Sequence, residues 1–297
     1  MAVNSRGTWI AALALAVNAL AWGLSWWPFR ELQDLGVHPL WATALVYALA
    51  VISLLLFRPH AFHYFRQHKG LWLLALAGGL TNVGFNWAVS IGDVVRVVLL
   101  FYLMPAWSIL FAWPILGERP TAGSLLRMAL ALVGVIVVLK APGAEWPVPH
   151  TLADWLALMG GMCFALTNVL LRRMRHAPAL GSVFAMFTGA SLMAGLTAFV
   201  GMQLGAISAL PPMDTVWPLW VLSLSLAFLA GTLGLQYGAA RLAVSTSSLV
   251  MLLEVVFAST SSVLLGAADL NGRMLLGAAL ILAAALLSAL SSTAANH

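Results

Sequence analysis

Charge is scarce in this sequence: Asp, Glu, Lys and Arg make up 8% of its 297 residues, where soluble domains carry roughly a quarter. With 62% hydrophobic residues and a mean hydropathy of +0.98, the chain reads as an integral membrane protein rather than a soluble one. Cysteine is nearly absent. The single Cys163 excludes an internal disulfide and lies inside an apolar run, where it packs as a small hydrophobe. No G-x-x-x-x-G-K-[ST] stretch occurs, which excludes the usual route to direct ATP use. All seven histidines fall outside or at the edges of the apolar runs, and eight of nine acidic residues fall in loops or at run ends. Clustered acids, bases or metal ligands at one membrane depth are therefore missing, so the sequence implies no metal, no cofactor and no intramembrane enzyme.

Apolar runs of about 20 residues, enough to cross ~30 Å of hydrocarbon as helix, lie near 8–27, 38–57, 71–91, 94–115, 122–140, 152–171, 180–203, 217–239, 243–265 and 273–291. The expected fold is all-α, with ten transmembrane helices. Pro28, Arg58-Pro59, Gly92-Asp93 and the segment from Pro142 to Pro149 punctuate the runs. The first run is longer than a signal-peptide core and is followed by no small-residue cleavage site, so it reads as a retained span. With the N-terminus cytoplasmic, ten of the fourteen Lys and Arg residues face inward and four outward, which places both termini inside. The net charge of +5 follows from this topology and needs no nucleic-acid partner; the partner is the bilayer.

The chain is also duplicated. Adding 150 sets Gly84-Phe-Asn86-Trp87 against Gly234-Leu-Gln236-Tyr237, Met104-Pro105 against Glu254-Val255, and Leu125-Leu126-Arg127 against Leu275-Leu276-Gly277. The units are 1–145 and 146–297, with five spans each. An odd number makes the second unit cross the membrane in the opposite sense. Inverted repeats of this kind belong to secondary transporters, whose substrate site lies near the midplane between the halves and which work by alternating access.

Three stretches carry a resemblance: Ala21-Trp22-Gly23-Leu24-Ser25, the Pro105 helix ending in Leu116-Gly117-Glu118-Arg119, and Ala165-Leu166-Thr167-Asn168 followed by Arg172-Arg173. In this order and spacing they resemble the drug/metabolite transporter superfamily, its ten-helix EamA-type exporters in particular. The glutamate-proline pair usual in the second half stands here as Glu254-Val255, and the second counterpart of the Gly117-Glu118 turn is Gly266-Ala267-Ala268. The resemblance implies export of amino acids, including aromatic ones, across a bacterial inner membrane. Other small metabolites or lipophilic drugs are the alternative cargo.

Glu254 is the one acidic residue near the middle of an expected span. Ionised and unpaired it would cost several kcal/mol there, so it either holds a substrate ammonium, couples transport to protons, or is a protonated structural carboxyl bonded to Ser259 or Thr260. Asn18, Asn82, Asn86, Asn168 and Gln236 also sit within spans, where amides need cross-helix partners or a cavity. Asn82 and Asn86 share a helix face with Trp87 alongside and Gly78, Gly79 and Gly84 nearby, the expected cavity wall. Most of the thirteen tryptophans fit the interfacial belt. Trp22, Tyr102 and Trp107 lie deeper, and could either stack on an aromatic substrate or simply pack. Pro105 is either a hinge or a static kink in the fourth span. Arg96 reads as snorkelling to the outer surface, and Ser245 to Ser248 as a helix cap.

Overall fold

The computed structural model describes residues 5–139, 148–174, 176–213, 216–239, 241–242, 250, 253–267 and 271–294. Among them the chain is entirely helical: α1 (Ser5–Leu24), α2 (Trp26–Asp34), α3 (Pro39–Phe57), α4 (His60–Gln67), α5 (Gly70–Ile91), α6 (Val94–Phe101), α7 (Met104–Leu116), α8 (Ala122–Leu139), α9 (Leu152–Arg173), α10 (Ala179–Gln203), α11 (Trp217–Ala239), α12 (Leu253–Leu264) and α13 (Gly272–Ala294). Seven helical segments are long and apolar enough to cross a membrane: Trp9–Asp34, Pro39–Phe57, Gly70–Ile91, Val94–Leu116, Leu152–Arg173, Ala179–Gln203 and Trp217–Leu235. Shorter apolar helical stretches, Met128–Val137, Leu253–Leu264 and Gly272–Ala284, fall in the other three expected runs.

Local chemistry sets the helix ends. His38 Nδ1 accepts from the Leu40 N–H at 3.3 Å and Pro39 opens α3, where its missing N–H costs nothing. Asp93 Oδ1 caps α6 through the Arg96 N–H at 2.8 Å. Thr151 and Asp154 form a capping box at the start of α9. The Leu-Gly-Glu-Arg-Pro turn works as expected: Gly117 ends α7 at φ +74°, a conformation that favours glycine.

Two expectations need correction. Pro28 does not end the first span: it is the third residue of α2, early enough in the helix for a missing N–H to be tolerated, and the helix runs on to Asp34. The fourth span is not one helix with an internal proline. It breaks at Tyr102–Leu103 and restarts at Met104, with Pro105 in the first turn of α7.

The packing crosses the two halves. α5 lies along α9 and α10, and α11 lies along α1 and α3; α6 and α7 pack on α9, and α12 packs on α1; α3 meets α10, α8 meets α13 and α6 meets α12. Small residues permit the closest crossings. A Cβ on Gly84 of α5 would sit 2.7 Å from the Leu156 carbonyl oxygen and 3.0 Å from Gly160 Cα on α9, and one on Gly234 of α11 would collide with the Ala14 carbonyl oxygen on α1. Without lipid between such helices, van der Waals contact at this distance holds them together.

Candidate functional site

The centre of the bundle is a run of aromatic rings. Phe187 of α10 contacts Tyr47 of α3 (5.5 Å between centroids), Tyr47 stacks on Phe228 of α11 (5.5 Å), and Phe228 stacks on Trp22 of α1 (4.5 Å). Trp22 meets Phe85 of α5 edge-on at 6.4 Å, Phe85 meets Phe101 of α6 at 4.8 Å, and Phe101 touches Tyr102 and Phe164. Trp22 packs against both of the large apolar clusters that this run joins. Offset and edge-on pairs at these separations are favourable beyond the area they bury.

A polar seam lies on the α5 side. Asn82 Nδ2 donates to the Gly78 carbonyl at 2.8 Å, and its Oδ1 accepts from the Tyr47 hydroxyl at 2.5 Å. One turn on, Asn86 is fully buried and its Nδ2 donates to Thr43 Oγ1 at 3.2 Å. Its Oδ1 has no partner in the protein, and neither has the buried Nε1 of Trp107 on α7. Buried polar atoms are nearly always satisfied, so an acceptor and a donor left open in one bundle point to water or to a ligand.

The break in the fourth span faces the second half. Tyr102, at the C-terminus of α6, lies against Glu254 of α12, close enough for hydroxyl and carboxylate to interact, and Glu254 is half-buried. Gly23 brings α1 against the same turn, since a Cβ there would lie 2.8 Å from the Glu254 carbonyl oxygen and 2.7 Å from Phe257 Cβ. Trp22, Tyr102, Trp107 and α12 thus meet in one cluster.

Not every expected residue joins it. Asn168 is exposed and bonds to its own helix through the Phe164 carbonyl at 2.9 Å. The Gln236 and Pro105 side chains, Ser245 to Ser248 and the boundary between the units at 145–146 lie outside the described residues. Sequence reasoning passed over Tyr47, Thr43, Phe85 and Phe228. Tyr47 carried a signal: it is one of four tyrosines and lies in the middle of its span, away from the interfacial belt where Tyr normally collects.

One end of the bundle is tied by charge. Arg96 holds Asp154 with both oxygens engaged, Nε to Oδ1 at 2.7 Å and Nη2 to Oδ2 at 3.0 Å, and the His150 and Thr151 N–H groups also donate to Oδ2. The expectation that Arg96 reaches for water gives way to this pair, since a guanidinium beside a buried carboxylate bonds to it in preference. Arg30 donates to the Val89 and Gly92 carbonyls, so the Gly92–Asp93 turn is held from α2 as well. At the other end Arg172 meets Glu118 at 2.7 Å, with both side chains exposed. Among the described residues no group of three or more His, Cys, Asp or Glu side chains is placed to hold a metal ion.

Residues 9–140 match the EamA-like transporter family. The chain is 33% identical over 87 residues to a UPF0060 membrane protein of Nitrosococcus oceani, covering 28% of this chain and 76% of that protein. It is 31% identical over 84 residues to a UPF0060 membrane protein of Psychrobacter arcticus, covering 27% and 74%. A solved structure, described only as a crystal structure of a protein, superposes with a TM-score of 0.59 over 95% of this chain and 96% of its own, at 19% identity. That likeness extends to the fold alone.

Proposed function

We propose, on the premise that the chain belongs to the EamA-like transporter family and so is a membrane transporter of small substrates, that it exports amino acids, aromatic ones among them, by alternating access. The observation that carries this reading is that Asn86 Oδ1 and Trp107 Nε1, both buried, each lack a protein partner in a bundle built around the Trp22 aromatic run. An amino acid presents an ammonium, a carboxylate and, when aromatic, a flat ring. Glu254 and Asn86 Oδ1 suit the ammonium, the Trp107 N–H suits the carboxylate, and Trp22, Tyr102 and Trp107 suit the ring. Asn82 positions this wall through Tyr47. Pro105, just after the Tyr102–Leu103 break, is the hinge. Asn168 and Gln236 complete the set when the bundle opens.

The architecture proposed is ten spans in two inverted units, 1–145 and 146–297. Its support is the exchange pattern of the packing: swapping the first half's helices for the second half's turns α5–α9 into α11–α1, α5–α10 into α11–α3, and α6/α7–α9 into α12–α1, all of them observed contacts. The offset-150 glycines, Gly84 and Gly234, sit at corresponding crossings. The setting proposed is a bacterial inner membrane with both termini cytoplasmic, and Glu254 is the site of coupling if transport uses protons.

A second reading, lipophilic cargo, has one observation in its favour. An apolar groove of about 330 Å³ between α1 and α11, lined by Val17, Leu20, Leu24, Ser25, Leu224 and Ala227 among others, lies along two lipid-facing helices. Sealed liposomes loaded with radiolabelled tryptophan, leucine or a lipophilic cation separate the two. Release of amino acids that is faster with a pH gradient, and blind to the gradient in Glu254→Gln, supports amino-acid export with coupling at Glu254. Release blind to the gradient in both proteins leaves a facilitator. Release of the cation alone refutes the amino-acid reading.

A further inference from the structure

A second cavity lies at the end of the bundle that carries the Arg172–Glu118 pair. It holds about 330 Å³ and is lined by His68, Lys69 and Gly70, where α4 runs into α5, and by Met174, His176 and Ala177, where α9 runs into α10. Among the described residues that line it, the polar side chains are one ammonium and two imidazoles, and none is a carboxylate. The His68 ring is held in place, its Nδ1 3.0 Å from the Tyr64 carbonyl oxygen. Gly70 leaves room for Met174, whose Sδ would collide with any Cβ there.

What borders this cavity is apolar and faces outward. Within two turns of Gly70, α5 exposes Trp72 (58%), Leu73 and Leu76, and the end of α3 and the start of α4 expose Leu56, Phe57 and Phe62. Phe65 of α4 packs on Trp72 at 4.5 Å, which ties the short helix to this surface. Basic lining above an exposed apolar strip has the layout of a phospholipid: a phosphate at the headgroup level and acyl chains below it.

We infer that the cavity of His68, Lys69 and His176 binds the phosphate of an anionic phospholipid headgroup, with the acyl chains lying against Trp72, Leu73 and Leu76. The site spans the α4–α5 and α9–α10 junctions, so a bound lipid staples the two halves of the chain at this end. It is independent of which cargo the bundle carries.

The test uses the full-length protein, released from nanodiscs holding equal amounts of phosphatidylglycerol and phosphatidylcholine, with retained lipid counted by native mass spectrometry. Wild-type protein retains phosphatidylglycerol preferentially. The combined His68→Gln, Lys69→Gln, His176→Gln variant loses that preference about fivefold or more, the scale of one basic contact at a membrane surface. Lys69→Arg keeps it, and so does Arg172→Gln, which removes a positive charge outside the cavity. Should the triple variant not be monodisperse, Lys69→Gln alone is read against Lys69→Arg for the same sign. Equal retention of the two lipids by the wild type, or an unchanged preference in the variant, overturns the assignment. Displacement of phosphatidylglycerol by millimolar inorganic phosphate overturns the lipid as the source of the anion, whereas resistance to it supports the lipid.

Discussion

Replacing Asp154 by alanine removes the acceptor for two charged N–H groups of Arg96 and for two backbone N–H groups, those of His150 and Thr151. The carboxylate is 1% exposed and its partner 18%, so the guanidinium stays largely out of water without its carboxylate. Breaking a buried pair from one side costs about 3–5 kcal/mol; with Arg96 partly reached by solvent, the lower end, about 3 kcal/mol, is expected. That corresponds to a fall of roughly 5–10 °C in the melting temperature of the detergent-solubilised protein. Asp154→Asn keeps an oxygen for the backbone donors and loses less. The decisive assay is a double-mutant cycle with Arg96→Gln and Asp154→Asn, in which the double variant should be more stable than the sum of the singles by about 1.5 kcal/mol. Arg172→Gln, which breaks the exposed pair at the opposite end, serves as the control and should shift the melt little. Additive losses in the cycle, or an Asp154→Ala melt within a degree of wild type, would refute the view that this pair ties α6 to α9.

Gly84→Ala and Gly234→Ala should each destabilise the protein by about 1–3 kcal/mol, because the new methyl meets backbone rather than a yielding side chain; Gly272→Ala, with open space around it, should be nearly neutral, and thermal melts compare all three. Tyr102→Phe removes the hydroxyl that lies against Glu254 and should slow substrate release from proteoliposomes about tenfold or more, the scale of a hydrogen bond to a charged group, while leaving the melt close to wild type. Burial lowers the pKa of His38 below its ordinary value, so the folded protein favours the neutral ring that accepts from the Leu40 N–H. Stability from this group is complete above its ordinary pKa near 6.5 and is lost as pH falls toward the folded value. His38→Gln should flatten the melting temperature between about pH 7 and pH 5, and an unchanged slope counts against that account.

Much of the fold was legible because hydrocarbon simplifies the code. An apolar run of the right length has one stable form there, so seven of the ten expected runs fall in helical segments long and apolar enough to cross a membrane. The break at Tyr102–Leu103 was not legible, because Val94 to Leu116 is apolar but for Arg96 and Ser108, and of its two prolines Pro114 lies inside α7 without breaking it. The site was half legible. Deep polar residues such as Asn82, Asn86 and Glu254 stand out against an apolar background, but their partners do not: nothing in the sequence joins Tyr47 to Asn82 or Tyr102 to Glu254, because those bonds depend on which helices become neighbours. Asn168 shows the converse. It also lies within an expected span, yet Asn18 is buried against α11 near Gly231 and Asn168, nearer its helix end, is exposed.

That packing bears on how the chain is made. The third long helix of each half spends its length against the opposite half, α5 along α9 and α10, α11 along α1 and α3. While α1 to α8 are in the membrane and the rest is still on the ribosome, Gly84 has no α9 to meet and the Asn82–Asn86 face has only α3 to cover it. The first half therefore waits, with the Gly78, Gly79 and Gly84 face of α5 turned toward lipid or toward a chaperone, until the second half arrives to close it. Newly made protein is most exposed to misassembly and proteolysis in that interval, before α9 is inserted.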